Sequence, residues 1–185
     1  MDTKAVHTHA TFPEEYFITY AANKEKDTLV HVTRARDAKG RIYFKSEFCQ
    51  LLFVPSNGGY RAYRIEPNGM MVLESDKYFT QAHILEETKE FTQYAEKATA
   101  QQIGKARHLE DAIVAGRACN VYEVEVHLAV FSQKFRCAVD RETGLCMKWG
   151  MDADLNGFQL SGPGGFTCTE FYTEDVARLF PSIKP

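Results

Sequence analysis

Several features that would quickly assign a function are missing from this chain. No apolar run approaches the ~20 residues that a membrane helix needs. The longest, residues 51–55, has the length of a buried strand. Neither charge predominates: 22 Lys and Arg face 25 Asp and Glu, a formal net charge of −3. The densest basic group, Arg34, Arg36, Lys39 and Arg41, reads as the outward faces of a hairpin. A nucleic-acid groove calls for a net basic domain or a larger basic face, so no nucleic-acid partner is expected. The five cysteines, Cys49, Cys119, Cys137, Cys146 and Cys168, contain no C-x-x-C and no zinc-type spacing. Their odd number leaves at least one free thiol, and they read as small apolar residues on strands. The first residues, Met1-Asp2-Thr3-Lys4, lack the apolar core of a signal peptide. Either the protein is cytoplasmic or the chain begins after a removed export segment.

What is present is a core. The chain has 185 residues, 44% of them hydrophobic and 25% charged. That fits a single domain over residues 1–185, with residues 1–12 as a flexible N-terminal segment. A domain of this size buries roughly 70% of its unfolded surface and needs neither metal nor disulfide to fold. The 13 Phe and 9 Tyr supply burial that offsets chain entropy.

The first half alternates with period two, the signature of strands. Residues 17–22 and 29–36 are strands, and Asp37-Ala38-Lys39-Gly40 turns the chain into a return strand at 41–44. Residues 48–54 are nearly all apolar, as in a strand covered on both faces, and Pro55 stops them. Asn57-Gly58 marks a turn, and residues 60–65 alternate again. Asn68-Gly69 is the strongest two-residue hairpin signal, and residues 70–73 begin another short strand.

After Phe79 the period becomes helical. Thr80 is placed to cap, and Ile84, Leu85, Thr88, Phe91, Ala95 and Ala98 recur at helical spacing. They predict an amphipathic helix over 81–98 packed on the sheet. The second half returns to strands. Tyr122, Val124, Val126 and Leu128 alternate with polar residues, as do Phe135, Cys137 and Val139. The turn Asp140-Arg141-Glu142-Thr143-Gly144 leads to Leu145, Met147 and Trp149, expected to face inward opposite Lys148. Asn156-Gly157 and Gly162-Pro163-Gly164-Gly165 are loops. A final strand at 166–171 leads to a polar tail.

No constellation makes a case for an enzyme. His7-Thr8-His9 lacks further ligands nearby. His83 with Glu86 and Glu87 is not His-Glu-x-x-His and reads as a solvated helix face. Cys137 shares its face with Phe135 and Val139, a setting that raises a thiol pKa rather than activating a nucleophile. The Gly162–165 run lacks the ending of a phosphate loop, and Asp152 and Asp154 lack the bidentate Glu of a calcium loop. No metal and no cofactor are expected. The aromatic residues, among them Phe53, Tyr78, Phe79, Phe91, Tyr94 and Trp149, form either an ordinary core or the lining of an apolar groove between helix and sheet.

Two stretches carry a family resemblance. Val114-Ala115-Gly116-Arg117-Ala118-Cys119-Asn120-Val121-Tyr122-Glu123-Val124 is followed by Cys137-Ala138-Val139-Asp140-Arg141-Glu142-Thr143-Gly144-Leu145-Cys146-Met147-Lys148-Trp149. Together they resemble the LolA-like superfamily of outer-membrane lipoprotein carriers and their relatives. Phe171-Tyr172-Thr173-Glu174-Asp175-Val176 resembles the ending. The resemblance implies an α+β fold: a strongly curved antiparallel sheet, an unclosed barrel, with helices on its concave face. It also implies a non-enzymatic binding module of the cell envelope. The ligand would be a lipid, an acyl chain or a lipoprotein, and the location extracytoplasmic. The expected groove wall is Ile84, Leu85, Thr88, Phe91, Ala95 and Trp149. No functional residue of the carriers maps onto a particular position here. The alternative is a structural or protein-interaction domain without a small-molecule site.

Overall fold

The computed structural model describes residues 11–25, 28–75, 77–95, 106–128, 131–151 and 165–181. The strands are β1 (Tyr16–Glu25), β2 (Thr28–Arg36), β3 (Ile42–Lys45), β4 (Gln50–Ser56), β5 (Gly59–Ile65), β6 (Met71–Leu73), β7 (Arg107–Val114), β8 (Arg117–Leu128), β9 (Phe131–Asp140), β10 (Cys146–Met151) and β11 (Phe166–Tyr172). Among the described residues two short helices, α1 (Gln81–Glu87) and α2 (Lys89–Ala95), lie between β6 and β7, and a 3₁₀ turn, Val176–Leu179, follows β11. The strands form one antiparallel sheet in the order β6-β5-β4-β3-β2-β1-β11-β10-β9-β8-β7. Among the described residues β6 and β7 are its two open edges, and the sheet does not close into a barrel. The α+β class with an unclosed antiparallel sheet is as expected. Contacts divide the chain into two compact units, one from Met1–Phe12, Tyr20–Val30 and Gln93–Thr169, the other from Pro13–Thr19, His31–Thr92 and Glu170–Pro185.

In the unit containing residues 31–92, register assigns the faces. Ala35, Tyr43, Leu52 and Tyr63 oppose one another in turn across β2 to β5 and share one face. They pack with Ile65, Val176 and Phe180. The expected polar tail is therefore corrected: Val176, which starts the 3₁₀ turn, and Phe180, which follows it, complete this core. On the other face Ile42 and Phe53 oppose each other, both buried.

Four further expectations change here. Arg34 is buried rather than outward, because it shares a face with buried Phe44 and its guanidinium lies 5.9 Å from the Tyr16 ring centre. The expected strand at 48–54 runs instead from Gln50 to Ser56. Phe48 stands in the turn before it, 79% exposed. Pro55 sits inside the strand, opposite Tyr60. The two-residue hairpin is Asn57-Gly58, both with positive φ, 38° and 83°, between the paired residues Ser56 and Gly59. Asn68-Gly69 belongs to a longer loop: Glu66 N–H donates to Met70 O and Gly69 N–H to Glu66 O. Pro67, fixed at negative φ, starts a turn that Gly69 closes at φ 83°. Fourth, the helix expected over 81–98 is two helices broken at Thr88, whose φ of −107° and ψ of 14° leave the helical basin. The buried Thr88 hydroxyl donates to Ile84 O at 2.7 Å, a back-bond that competes with the helical ladder. Ala98 lies outside the described residues, as do His7, His9, Asp152, Asp154, Asn156 and Gly157.

The other unit holds β7 to β10. β7 has no counterpart among the expected strands, because its exposed residues Arg107, His108, Glu110 and Asp111 hide the period. It joins β8 through Ala115-Gly116, with φ of 49° and 76°. Between β9 and β10, register shifts between Cys146 and Lys148, a bulge. Cys146 opposes Val139 and Trp149 opposes Cys137, so Cys146 and Trp149 share a face instead of strictly alternating. Leu145, Met147 and Trp149 are buried and Lys148 is half-buried, as expected. Tyr20 and Tyr94 pack against Phe166 at centroid distances of 5.3 and 5.2 Å, and the Tyr20 hydroxyl donates to Cys146 O at 2.9 Å.

Candidate functional site

Catalytic chemistry has few starting points among the described residues. No group of three or more His, Cys, Asp and Glu is placed to hold a metal there. Burial pushes the Cys119 and Cys137 thiols up to about 12, which keeps them protonated and poor as nucleophiles at neutral pH. The charged cluster at the β9–β10 turn is structural in form. Asp140, 1% exposed, accepts from Arg117 Nε and a second guanidinium nitrogen, both at 3.0 Å. It also accepts from Thr143 N–H at 2.9 Å and Thr143 Oγ1 at 2.7 Å. Burial alone would raise this carboxyl, but the Arg117 and Thr143 donors outweigh it and hold it below its usual range.

The feature best shaped to receive something lies beside α1. Phe79 pairs its backbone with Tyr60 in both directions, at 2.7 and 3.0 Å. That approach needs Gly59, because a Cβ there would meet Phe79 O at 3.0 Å. So fixed, the Phe79 ring meets Phe53 edge-on at 5.8 Å and His83 at 6.1 Å. Tyr78 is held by Arg61, whose guanidinium lies 5.3 Å from the ring centre and donates to its hydroxyl at 3.4 Å. Donors led by Arg61 hold the Tyr78 phenol below its usual range. Thr80 Oγ1 accepts from His83 N–H, and Thr80 N–H donates to His83 Nδ1, each at 3.3 Å. This reciprocal cap starts α1.

The result is a hollow of about 200 Å³ lined by Ser75, Lys77, Tyr78, Phe79, His83, Glu86 and Glu87. Its lining joins aromatic Tyr78 and Phe79 to charged Lys77, Glu86 and Glu87. Glu86 is engaged by Lys89 at 2.5 Å. A broader, open depression of about 550 Å³ lies over residues 55–60 and Gln81, where Gln81 Nε2 donates to the Tyr60 hydroxyl at 2.8 Å.

Neither hollow is lined by the six residues expected to form a groove wall. Ile84, Thr88, Phe91 and Ala95 are buried, and so is Trp149, stacked on Phe135 at 5.1 Å and 23°. Leu85 departs from the stripe: it is 51% exposed, because the break at Thr88 leaves a seven-residue α1 whose one buried residue is Ile84. Ile84, Leu85, Thr88 and Phe91 belong to one compact unit, Ala95 and Trp149 to the other. Tyr78 and Phe79, two of the aromatic residues offered as a groove lining, do line a hollow, but with His83, Glu86 and Glu87, expected only as a solvated helix face. The available signal was Thr80 three residues before His83, two side chains able to cap each other.

A scan against protein-family models finds no match, and no curated protein matches. Solved structures do match. MucB in complex with MucA(peri) is 13% identical, with 91% of this chain and 53% of that chain covered and a TM-score of 0.42. The Pseudomonas aeruginosa MucA/MucB complex is 14% identical, with 91% and 56% covered and a TM-score of 0.42. A LolA superfamily protein from Nitrosomonas europaea is 10% identical, with 94% and 92% covered and a TM-score of 0.28. The chain spans about half the length of the MucB chains. No residue's role follows from this likeness.

Proposed function

We propose that this chain is a non-enzymatic binding module that takes an apolar side chain of a protein partner in the hollow beside α1. The observation that carries this is the hollow itself. Aromatic Tyr78 and Phe79 line it, and Tyr78 is among the exposed large hydrophobic residues. At about 200 Å³ it falls below the roughly 300–1,000 Å³ typical of ligand pockets, which suits one inserted side chain better than a lipid.

The second reading is an acyl chain, lipid or lipoprotein bound between sheet and helix, in the cell envelope. The sequence resemblance implies it, and the apolar residues that α1 and α2 bury, Ile84, Phe91 and Ala95, support it. A ligand there would have to displace packed side chains.

One titration separates the two. Peptides selected for binding to the folded chain, and separately a fatty acid and a lipopeptide, are added to ¹⁵N-labelled protein. The first reading expects amide shifts at Tyr78, Phe79, His83 and Glu87 with peptide, lost in Tyr78→Ala. Fatty acid that raises the melting temperature by mass action and shifts Phe91 and Ala95 would overturn it in favour of the second.

A further inference from the structure

We propose that the start of α1 is a proton-operated latch, closed while the His83 imidazole is neutral and opened when it is protonated. Reciprocal caps usually end in Glu or Gln, whose oxygen accepts the N-cap N–H at any pH near neutrality for Gln, or above the carboxyl range for Glu. Here the acceptor is a ring nitrogen. Thr80 N–H donates to His83 Nδ1 at 3.3 Å. Nδ1 can accept only in the neutral ring that carries its proton on Nε2; in the imidazolium both nitrogens are donors. Protonation therefore sets two N–H groups against each other and removes one half of the cap. The other half, His83 N–H to Thr80 Oγ1 at 3.3 Å, remains.

The ionisable groups that line the hollow with the ring are Glu86 and Glu87, three and four residues on, and Lys77, from the segment entering the helix. Tyr78 also faces the hollow, and Arg61 keeps its phenol engaged. Histidine is the side chain whose charge ordinarily changes between about pH 5 and 8. Opening the latch frees the Thr80 amide and turns the ring, which also meets the Phe79 edge at 6.1 Å. Whatever occupies the hollow, one wall of it answers to pH.

The test is hydrogen exchange and ring ¹⁵N shifts on the full chain between pH 8 and pH 5. At pH 8 the His83 ring is expected as the Nε2–H tautomer. On acidification the protection of the Thr80 amide, corrected for intrinsic exchange, is expected to fall roughly two- to five-fold, the effect of losing about one capping bond. His83→Gln restores a pH-independent acceptor, and its Thr80 protection should stay constant. His83→Ala should show the low value at both pH values. An equal fall in His83→Gln would assign the effect to Glu86 and Glu87 and overturn the latch. So would unchanged Thr80 protection while the wild-type ring titrates.

Discussion

Asp140 carries its charge almost out of contact with water and is held by four hydrogen bonds from Arg117 and Thr143. A carboxyl held below its unfolded value contributes stability above that value, roughly pH 4, and loses it as pH falls through the folded one. Stability of the wild type is therefore expected to drop as pH falls below about 4. Asp140→Ala removes the acceptor of two Arg117 hydrogen bonds, while the pair of Arg117 with the exposed Glu142 stays. At pH 7 it is expected to cost about 3 kcal/mol in urea unfolding, a deficit that narrows as pH approaches 2. Ala115 offers the opposite case. At φ 49° it occupies a region that costs an ordinary residue about 1–2 kcal/mol. Ala115→Gly is expected to raise stability by about 0.5–1 kcal/mol, read as a higher urea midpoint at unchanged slope.

At the level of elements, α1 and α2 separate pattern from packing. Helical spacing located both helices, because Ile84, Phe91 and Ala95 are the residues that must leave water. It did not locate the break, since the back-bond from Thr88 to Ile84 is invisible to hydrophobic period. Nor did it show that Leu85 turns outward. Phe91→Ala is expected to cost about 3–4 kcal/mol, and Leu85→Ala to stay within about 0.5 kcal/mol, in the same urea experiment. If both were costly, the outward placement of Leu85 would fail. The strands of the first half were legible for the same reason as the helices. β7 was not: with charges at Arg107, Glu110 and Asp111 it obeys the demands of an exposed edge, where charge discourages pairing with another chain. The hollow was the least legible feature of all. It depends on Gly59 letting Phe79 approach β5, a contact between residues 20 apart that no local pattern announces.

Across the whole chain, the strand order sets a late β11 beside the first strand, β1, and the rest of the sheet continues beyond each. Thr19 Oγ1 donates to Glu170 at 2.9 Å and Asn23 N–H donates to Gly165 O at 3.0 Å; both bonds cross that seam. Refolding that needs contacts this distant in sequence is expected on the millisecond-to-second scale, measurable by stopped-flow fluorescence of Trp149. A chain ending before β11 leaves β1 and β10 without their shared neighbour and is expected to lack a cooperative unfolding transition.

The cysteines give this chain an internal clock. Cys119, Cys137, Cys146 and Cys168 stand on β8, β9, β10 and β11 as buried thiols, while Cys49 is half-buried. An alkylating reagent cannot reach the four until the strand that carries each has opened, so each labelling rate times the opening of one strand. Mass spectrometry of the order in which they are modified, after Cys49, would rank these four neighbours by how often each comes apart.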